Sequence, residues 1–132
     1  MSTPAPSLDL AVVGNCSIAS LIDLRGRHVF ACLPRLDGDP VFCSLLDGAD
    51  RGYFDVELAG FTHSSQRYLR NTAVVETRLE AADGAAVRIV DFCPRFRQFD
   101  RNFRPMMLVR TVEVAAGRPR VRVRLRPRQR YG

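Results

Sequence analysis

Residues 73–92 read AVVETRLEAADGAAVRIVDF. Two runs rich in β-branched residues, 73–80 and 85–92, flank Ala81-Ala-Asp-Gly84. Asp83-Gly84 is a hairpin turn signal, because glycine accepts the positive φ that tight hairpin turns require. Along each run apolar and polar residues alternate with the strand period of two. This segment is therefore a β-hairpin with one face turned to a core.

The same grammar extends outward. In Tyr53-Phe-Asp-Val-Glu-Leu58, Phe54, Val56 and Leu58 share one face and Asp55 and Glu57 the other. In Val121-Arg-Val-Arg-Leu-Arg126 the apolar residues point one way and three Arg the other. Residues 107–114 and 121–127, joined across Gly117, read as a second hairpin. Further strand-like runs cover 8–13, 17–22, 29–33 and 61–69. Turn signals recur at short intervals, among them Gly14-Asn15, Arg25-Gly26, Asp37-Gly38 and Asp47-Gly48. Evenly punctuated short strands predict an all-β fold, an antiparallel β-sandwich. At most one short helix is expected, over 41–46 after Pro40.

The 132 residues suffice for one domain with a buried core. Residues 1–7 are expected to form a disordered N-terminus, and 8–132 the sandwich. The start lacks the basic and apolar regions of a signal peptide, and no apolar run has membrane-spanning length. A cytoplasmic protein with no membrane partner is expected. Cys16, Cys32, Cys43 and Cys93 show no C-x-x-C spacing and read as buried reduced thiols, with a disulfide or metal site as the alternative. No metal or cofactor is expected.

The net charge is +6 and every basic residue is Arg. Arg118, Arg120, Arg122, Arg124, Arg126, Arg128 and Arg130 occupy alternate positions. On a strand they would line one face at intervals of about 6.7 Å. Arg95, Arg97, Arg101 and Arg104 interleave with Phe96, Phe99 and Phe103. Such a face can track a nucleic-acid backbone, so a stand-alone Arg-rich domain binding RNA or another polyanion is one reading. The plainer reading pairs these Arg with acids on neighbouring strands. No sequence signature of a nucleic-acid module accompanies the charge, so nucleic acid is the less favoured partner.

Catalytic constellations are absent from the sequence. There is no G-x-S-x-G elbow, Walker loop or H-E-x-x-H. Glu57, Glu76, Glu80 and Glu113 fall on strands and read as solvated faces. Asp91 reads as a residue ordering the Arg-rich loop after it. A free-standing carbohydrate-binding module is another non-enzymatic reading, less favoured because Trp is absent and the three Tyr lie in different segments.

Several segments, in order, resemble one family. Residues 13–48 carry VGN, then LID, then CLPRLDGDPVF and LLDG. Tyr53-Phe-Asp-Val-Glu-Leu58 follows, then QRYLRNTAVVET at 66–77, VDFCPRF at 90–96 and PRQRYG at 127–132. These are similar to the start of the bacterial family-15 glycoside hydrolases, the glucoamylase and trehalase-like enzymes. Departures are Phe30 where the family often has Trp, Leu36 and Gly38 in its PRFDS loop, and Gln129-Arg130 before Tyr131-Gly132. The resemblance implies an N-terminal β-sandwich that packs on a catalytic (α/α)6 barrel. In that barrel two Glu carry out inverting hydrolysis of α-glucosides such as maltooligosaccharides or trehalose. No barrel position exists in this sequence, so no catalytic residue carries over, and the chain alone is expected to be inactive. The loop Pro34-Arg35-Leu36-Asp37-Gly38-Asp39-Pro40 is stiffened by proline at both ends. Its Arg35 and Asp37 are the candidate substrate- or interface-facing residues, with pairing to each other or to water as the alternative.

Overall fold

The computed structural model describes residues 8–128; the expected disordered segment 1–7, Arg130 and the PRQRYG terminus from 129 lie outside them. Twelve strands and one helical turn succeed one another in order: β1 (Ala11–Gly14), β2 (Ala19–Ile22), β3 (His28–Cys32), β4 (Pro40–Phe42), α1 (Ser44–Asp47), β5 (Tyr53–Leu58), β6 (Phe61–Tyr68), β7 (Val75–Ala81), β8 (Ala86–Phe92), β9 (Phe96–Gln98), β10 (Arg101–Phe103), β11 (Val109–Ala116) and β12 (Val121–Arg126). All pairings are antiparallel. One sheet runs β1-β2-β3-β5-β12 with β4 beside β3, and the other runs β11-β8-β7-β6. The antiparallel β-sandwich expected from the alternation is the observed fold.

Alternation places the core between the sheets. Val56 and Leu58 of β5 meet Leu79, Val87 and Ile89 of β7 and β8 in one cluster. Val13, Ile18 and Ile22 meet Val75 and Cys93 in a second. Burying each such side chain contributes about 1.5–3 kcal/mol. The β7–β8 turn forms as read: Gly84 has φ 86°, its N–H donates to the Ala81 carbonyl, and Asp83 Oδ1 accepts from the Ala85 N–H.

The helical turn lies later than expected. Pro40–Phe42 is a strand, with Phe42 opposite Ala31, and the helix starts only at Ser44. The Cys43 carbonyl accepts the first helical bonds, from Leu46 and Asp47. The short apolar run 41–46 thus divides between two elements, an ambiguity that periodicity does not resolve.

The second expected hairpin does not form. β11 pairs with β8, whereas β12 pairs with β5 in the opposite sheet. Residues 117–120 carry the chain across the sandwich. Gly117 adopts φ 63°, and a Cβ there would lie 3.1 Å from the Ala85 Cα. Pro119 lacks the N–H that a continuing ladder would use. Each strand instead finds its complement elsewhere: Arg124 stands opposite Asp55 and Arg122 opposite Glu57. A short hairpin, β9 with β10, occupies what reads in sequence as an Arg-rich loop. Phe99 and Asp100 at its tip both have positive φ.

Candidate functional site

The loop 34–40 leaves β3 and returns as β4. Arg35 and Asp37 at its tip are exposed and pair with each other: Arg35 Nε lies 3.0 Å from Asp37 Oδ1 and Nη2 lies 3.0 Å from Oδ2. The two candidate residues are therefore adjacent and solvent-facing.

The deepest polar feature centres on Asp91 in a role that the sequence does not suggest. Asp91, on β8, is fully buried. Arg110 of β11 grips it in a fork, Nε to Oδ1 at 2.7 Å and Nη2 to Oδ2 at 3.0 Å. His28 Nε2 lies 3.1 Å from Asp91 Oδ1, and His28 Nδ1 lies 2.6 Å from Ser20 Oγ. The arrangement fixes the tautomer: Nε2–H donates to the carboxylate and Nδ1 accepts from the serine hydroxyl. Arg110 also donates to the backbone carbonyls of Phe54 and Gly26. The network therefore bolts one sheet to the other. Burial pushes the His28 pKa down and outweighs the hydrogen bond that His28 donates to Asp91. For Asp91 burial works the other way, but the bonds from His28 and Arg110 prevail and hold the carboxyl below its ordinary value. Serine, histidine and aspartate in this order resemble a nucleophilic triad, but Ser20 and His28 are each about 1% exposed, so no substrate reaches the hydroxyl. Asp91 does not order the following loop, contrary to expectation. Its position puts it on the same face as Ile89 and Val87, turned inward.

Asn15 joins three elements. Its Nδ2 donates to the carbonyls of Pro94 (2.9 Å) and Pro105 (2.7 Å), and its Oδ1 accepts from the N–H groups of Ser17 and Ile18. One side chain thus closes the β1–β2 turn and holds both feet of the β9–β10 hairpin. Beside it lies a mainly apolar groove of about 630 Å³, lined by Cys16, Val74, Cys93 and Phe96 among others, with no carboxylate. Cys16 is exposed, contrary to expectation, because the turn gives it φ 72° outside the core. The other three cysteines are buried and free, and burial raises each thiol, Cys93 to about 11. No group of side chains among the described residues has metal-site geometry.

A smaller polar cleft lies between the β2–β3 turn and β5, lined by Asp23, Arg25, Arg27, Asp55, Glu57 and Arg124. It brings two carboxylates near each other. Arg124 Nη2 lies 2.8 Å from Asp55 Oδ2 and 2.5 Å from Glu57 Oε1. The guanidinium thus occupies the space in which a glycosidic oxygen would have to sit between acid and base. Asp23 is taken up by the N–H groups of Arg25 and Arg27. Those two guanidinium groups stack on Phe61 and Tyr53.

The remaining strand acids have similar company. Glu76 pairs with Arg67 and Arg88, Glu80 with Arg78 and Glu113 with Arg88. Burial raises the Glu76 pKa, but its two Arg neighbours reverse this and leave it low. The Arg78 hydrogen bond lowers that of Glu80. A general acid in glycoside hydrolysis needs the opposite shift. Arg122, Arg124 and Arg128 of the basic stripe pair with Glu57, Asp55 and Asp47.

The chain belongs to the family described as trehalase-like, N-terminal, which it matches over residues 3–132. It is similar to a trehalase of Thermoplasma volcanium, 31% identical over 84 residues. That match covers 62% of this chain and 14% of the trehalase, so the chain spans only a small part of the relative. No solved structure matches. No helix among the described residues is long and apolar enough to cross a membrane.

Proposed function

We propose that this chain is the non-catalytic N-terminal sandwich of a cytoplasmic family-15 glycoside hydrolase, acting on α-glucosides such as maltooligosaccharides or trehalose. Its role is to pack on and support a catalytic (α/α)6 barrel supplied by the rest of the enzyme. The observation that carries this reading is the family match along residues 3–132. The saturation of the strand carboxylates by Arg supports the non-catalytic part. Arg35 and Asp37 face the barrel's mouth in this proposal. Arg35 would hold a barrel carboxylate in a bidentate pair, and Asp37 would accept a sugar hydroxyl. An exposed ion pair contributes only about 0–1 kcal/mol, so exchanging partners costs little.

The test compares three preparations: the complete enzyme, its remainder without residues 1–132, and that remainder with this chain added back. kcat/KM for trehalose and maltotriose and the melting temperature are measured for each. The reading expects the remainder to lose activity and stability and to regain part of both on addition. Unchanged kinetics and melting without the chain would contradict it.

A further inference from the structure

The β9–β10 hairpin stands apart from both sheets and keeps three Phe exposed. Its register sorts them. Phe96 stands opposite Phe103 and Gln98 opposite Arg101. Residues directly opposite share a face, and so do residues two apart on one strand. One face therefore carries an aromatic rung, Phe96 with Phe103, and beside it a rung of amide and guanidinium, Gln98 with Arg101. The two rings lie 5.3 Å apart between centroids and within 15° of parallel, and are 47% and 38% exposed. The base of the hairpin is fixed. Asn15 donates to the carbonyls of Pro94 and Pro105 at the two feet and accepts from the N–H of Ser17. Ser17 and the hairpin are thereby held in register. A groove of about 370 Å³ runs there, lined by Ser17, Phe96, Asn102, Phe103, Arg104 and Pro105. A site on fixed supports binds with less ordering cost.

The chemistry of this surface selects a ligand. No carboxylate lines the groove, so a cation finds no partner in it. Among the described residues, the side chains of Ser17, Gln98, Arg101, Asn102 and Arg104 have no hydrogen bond or ion pair, whereas Arg97 on the opposite face is paired with Asp100. The matching ligand offers a flat apolar face to the rings and uncharged donors and acceptors around its edge. Aromatic faces carry negative charge density and attract C–H groups. A pyranose ring has both parts, a face of C–H groups and a rim of hydroxyls. A nucleic-acid strand also stacks on aromatic rings, but its phosphates call for a row of cations, and Arg101 is the single one on the stacking face. We propose that this hairpin face and its groove form a binding site for a chain of neutral sugars, an α-glucan. The sugar class follows from the surface; the choice of α-linked glucose rests on the proposed function. Phe96 and Phe103 supply the aromatic platform that Trp and Tyr do not, and only the hairpin brings them together.

The test is isothermal titration calorimetry of the complete enzyme with β-cyclodextrin, a ring of α-linked glucose that has no chain end. The parent should bind it, and the double variant Phe96→Ala/Phe103→Ala should bind about tenfold or more weakly. Phe103→Trp keeps an aromatic platform and should retain the affinity, which separates loss of the site from loss of the fold. Gln98→Ala and Arg101→Ala remove exposed polar groups alone and should each weaken binding severalfold. Equal affinity in the parent and the double variant would overturn the proposal, as would a parent that does not bind. Preference for cellohexaose, a β-linked glucan, would overturn the assignment to α-glucan. Binding of oligouridylate rather than cyclodextrin, lost in the double variant, would make nucleic acid the ligand and overturn it as well. Cyclodextrin binding through these Phe in a protein that hydrolyses no α-glucoside would refute the proposed function and leave the sugar site standing. Hydrolysis without such binding would do the reverse.

Discussion

Asp91 shows how much one buried charge can organise. It is shared by an imidazole and a guanidinium that come from different strands. Removing it in Asp91→Ala strands the Arg110 charge in the interior. Breaking a buried pair in this way costs about 3–5 kcal/mol, and urea unfolding should show a loss of that order. The network also gives stability a pH dependence with a definite sign. His28 has its pKa lowered from 6.5 in the folded state, so the unfolded chain binds the proton more readily. Stability is then fully present above about pH 6.5 and declines as pH falls toward the folded value. Asp91, also depressed, adds a further loss below its ordinary 3.8. Melting temperature measured from pH 8 to 3 should begin to fall near 6.5. A profile flat down to pH 4.5 would show that His28 is not held neutral. Arg35 and Asp37 behave oppositely. Their pair is exposed, so Arg35→Ala and Asp37→Ala should change stability by about 0.5 kcal/mol or less. In the complete enzyme the proposed role expects kcat/KM to drop while melting holds. If both stay at the parent's values, the loop has neither role.

At the scale of elements, the strands with strict alternation and a clear turn are legible in the sequence, and β7, β8 and their Asp83-Gly84 turn form where the pattern puts them. What the pattern does not carry is which strand pairs with which. β11 and β12 are adjacent in the chain and alternate equally well, yet join different sheets, because the choice depends on complementary partners far away in sequence: Asp55 and Glu57 for β12, Ile89 and Val87 for β11. The inward turn of Asp91 is hidden for a related reason. Its neutralising residues lie 63 and 19 positions away, and a lone Asp at a strand end looks like a cap. Asp55 alternates away from Val56 and Leu58 in the sequence, but it is buried and paired with Arg124. Of the candidate site, the loop 34–40 is legible through its prolines, while the mutual pairing of its charges emerges only from the fold. The two glycines of the turns provide a check on local geometry. Gly84 has positive φ and open space where a methyl group would project, so Gly84→Ala should cost about 1–2 kcal/mol from backbone strain alone. Gly117→Ala adds a 3.1 Å approach to the Ala85 backbone and should cost more. Equal costs in denaturant titrations would show that the crossover relaxes freely.

At the scale of the whole molecule, part of the basic charge is spent on ion pairs between strands. Arg122 and Arg124 of β12 pair with Glu57 and Asp55 of β5, and Arg88 of β8 pairs with Glu76 of β7, so the basic stripe is neutralised in part. Binding to single-stranded RNA should accordingly be weak and collapse with salt through counterion release. Sequence-selective binding at physiological salt would point to a different role. The same pairing occupies the strand carboxylates Glu76, Glu80 and Glu113 with Arg, and Arg124 fills the space between the carboxylates of Asp55 and Glu57. The decisive assay is glucose release from trehalose, maltose and maltotriose by the purified 132-residue chain. A non-catalytic N-terminal sandwich releases none above the buffer background. Release that disappears in Asp55→Asn or Glu57→Gln would contradict it and relocate the active site to this domain.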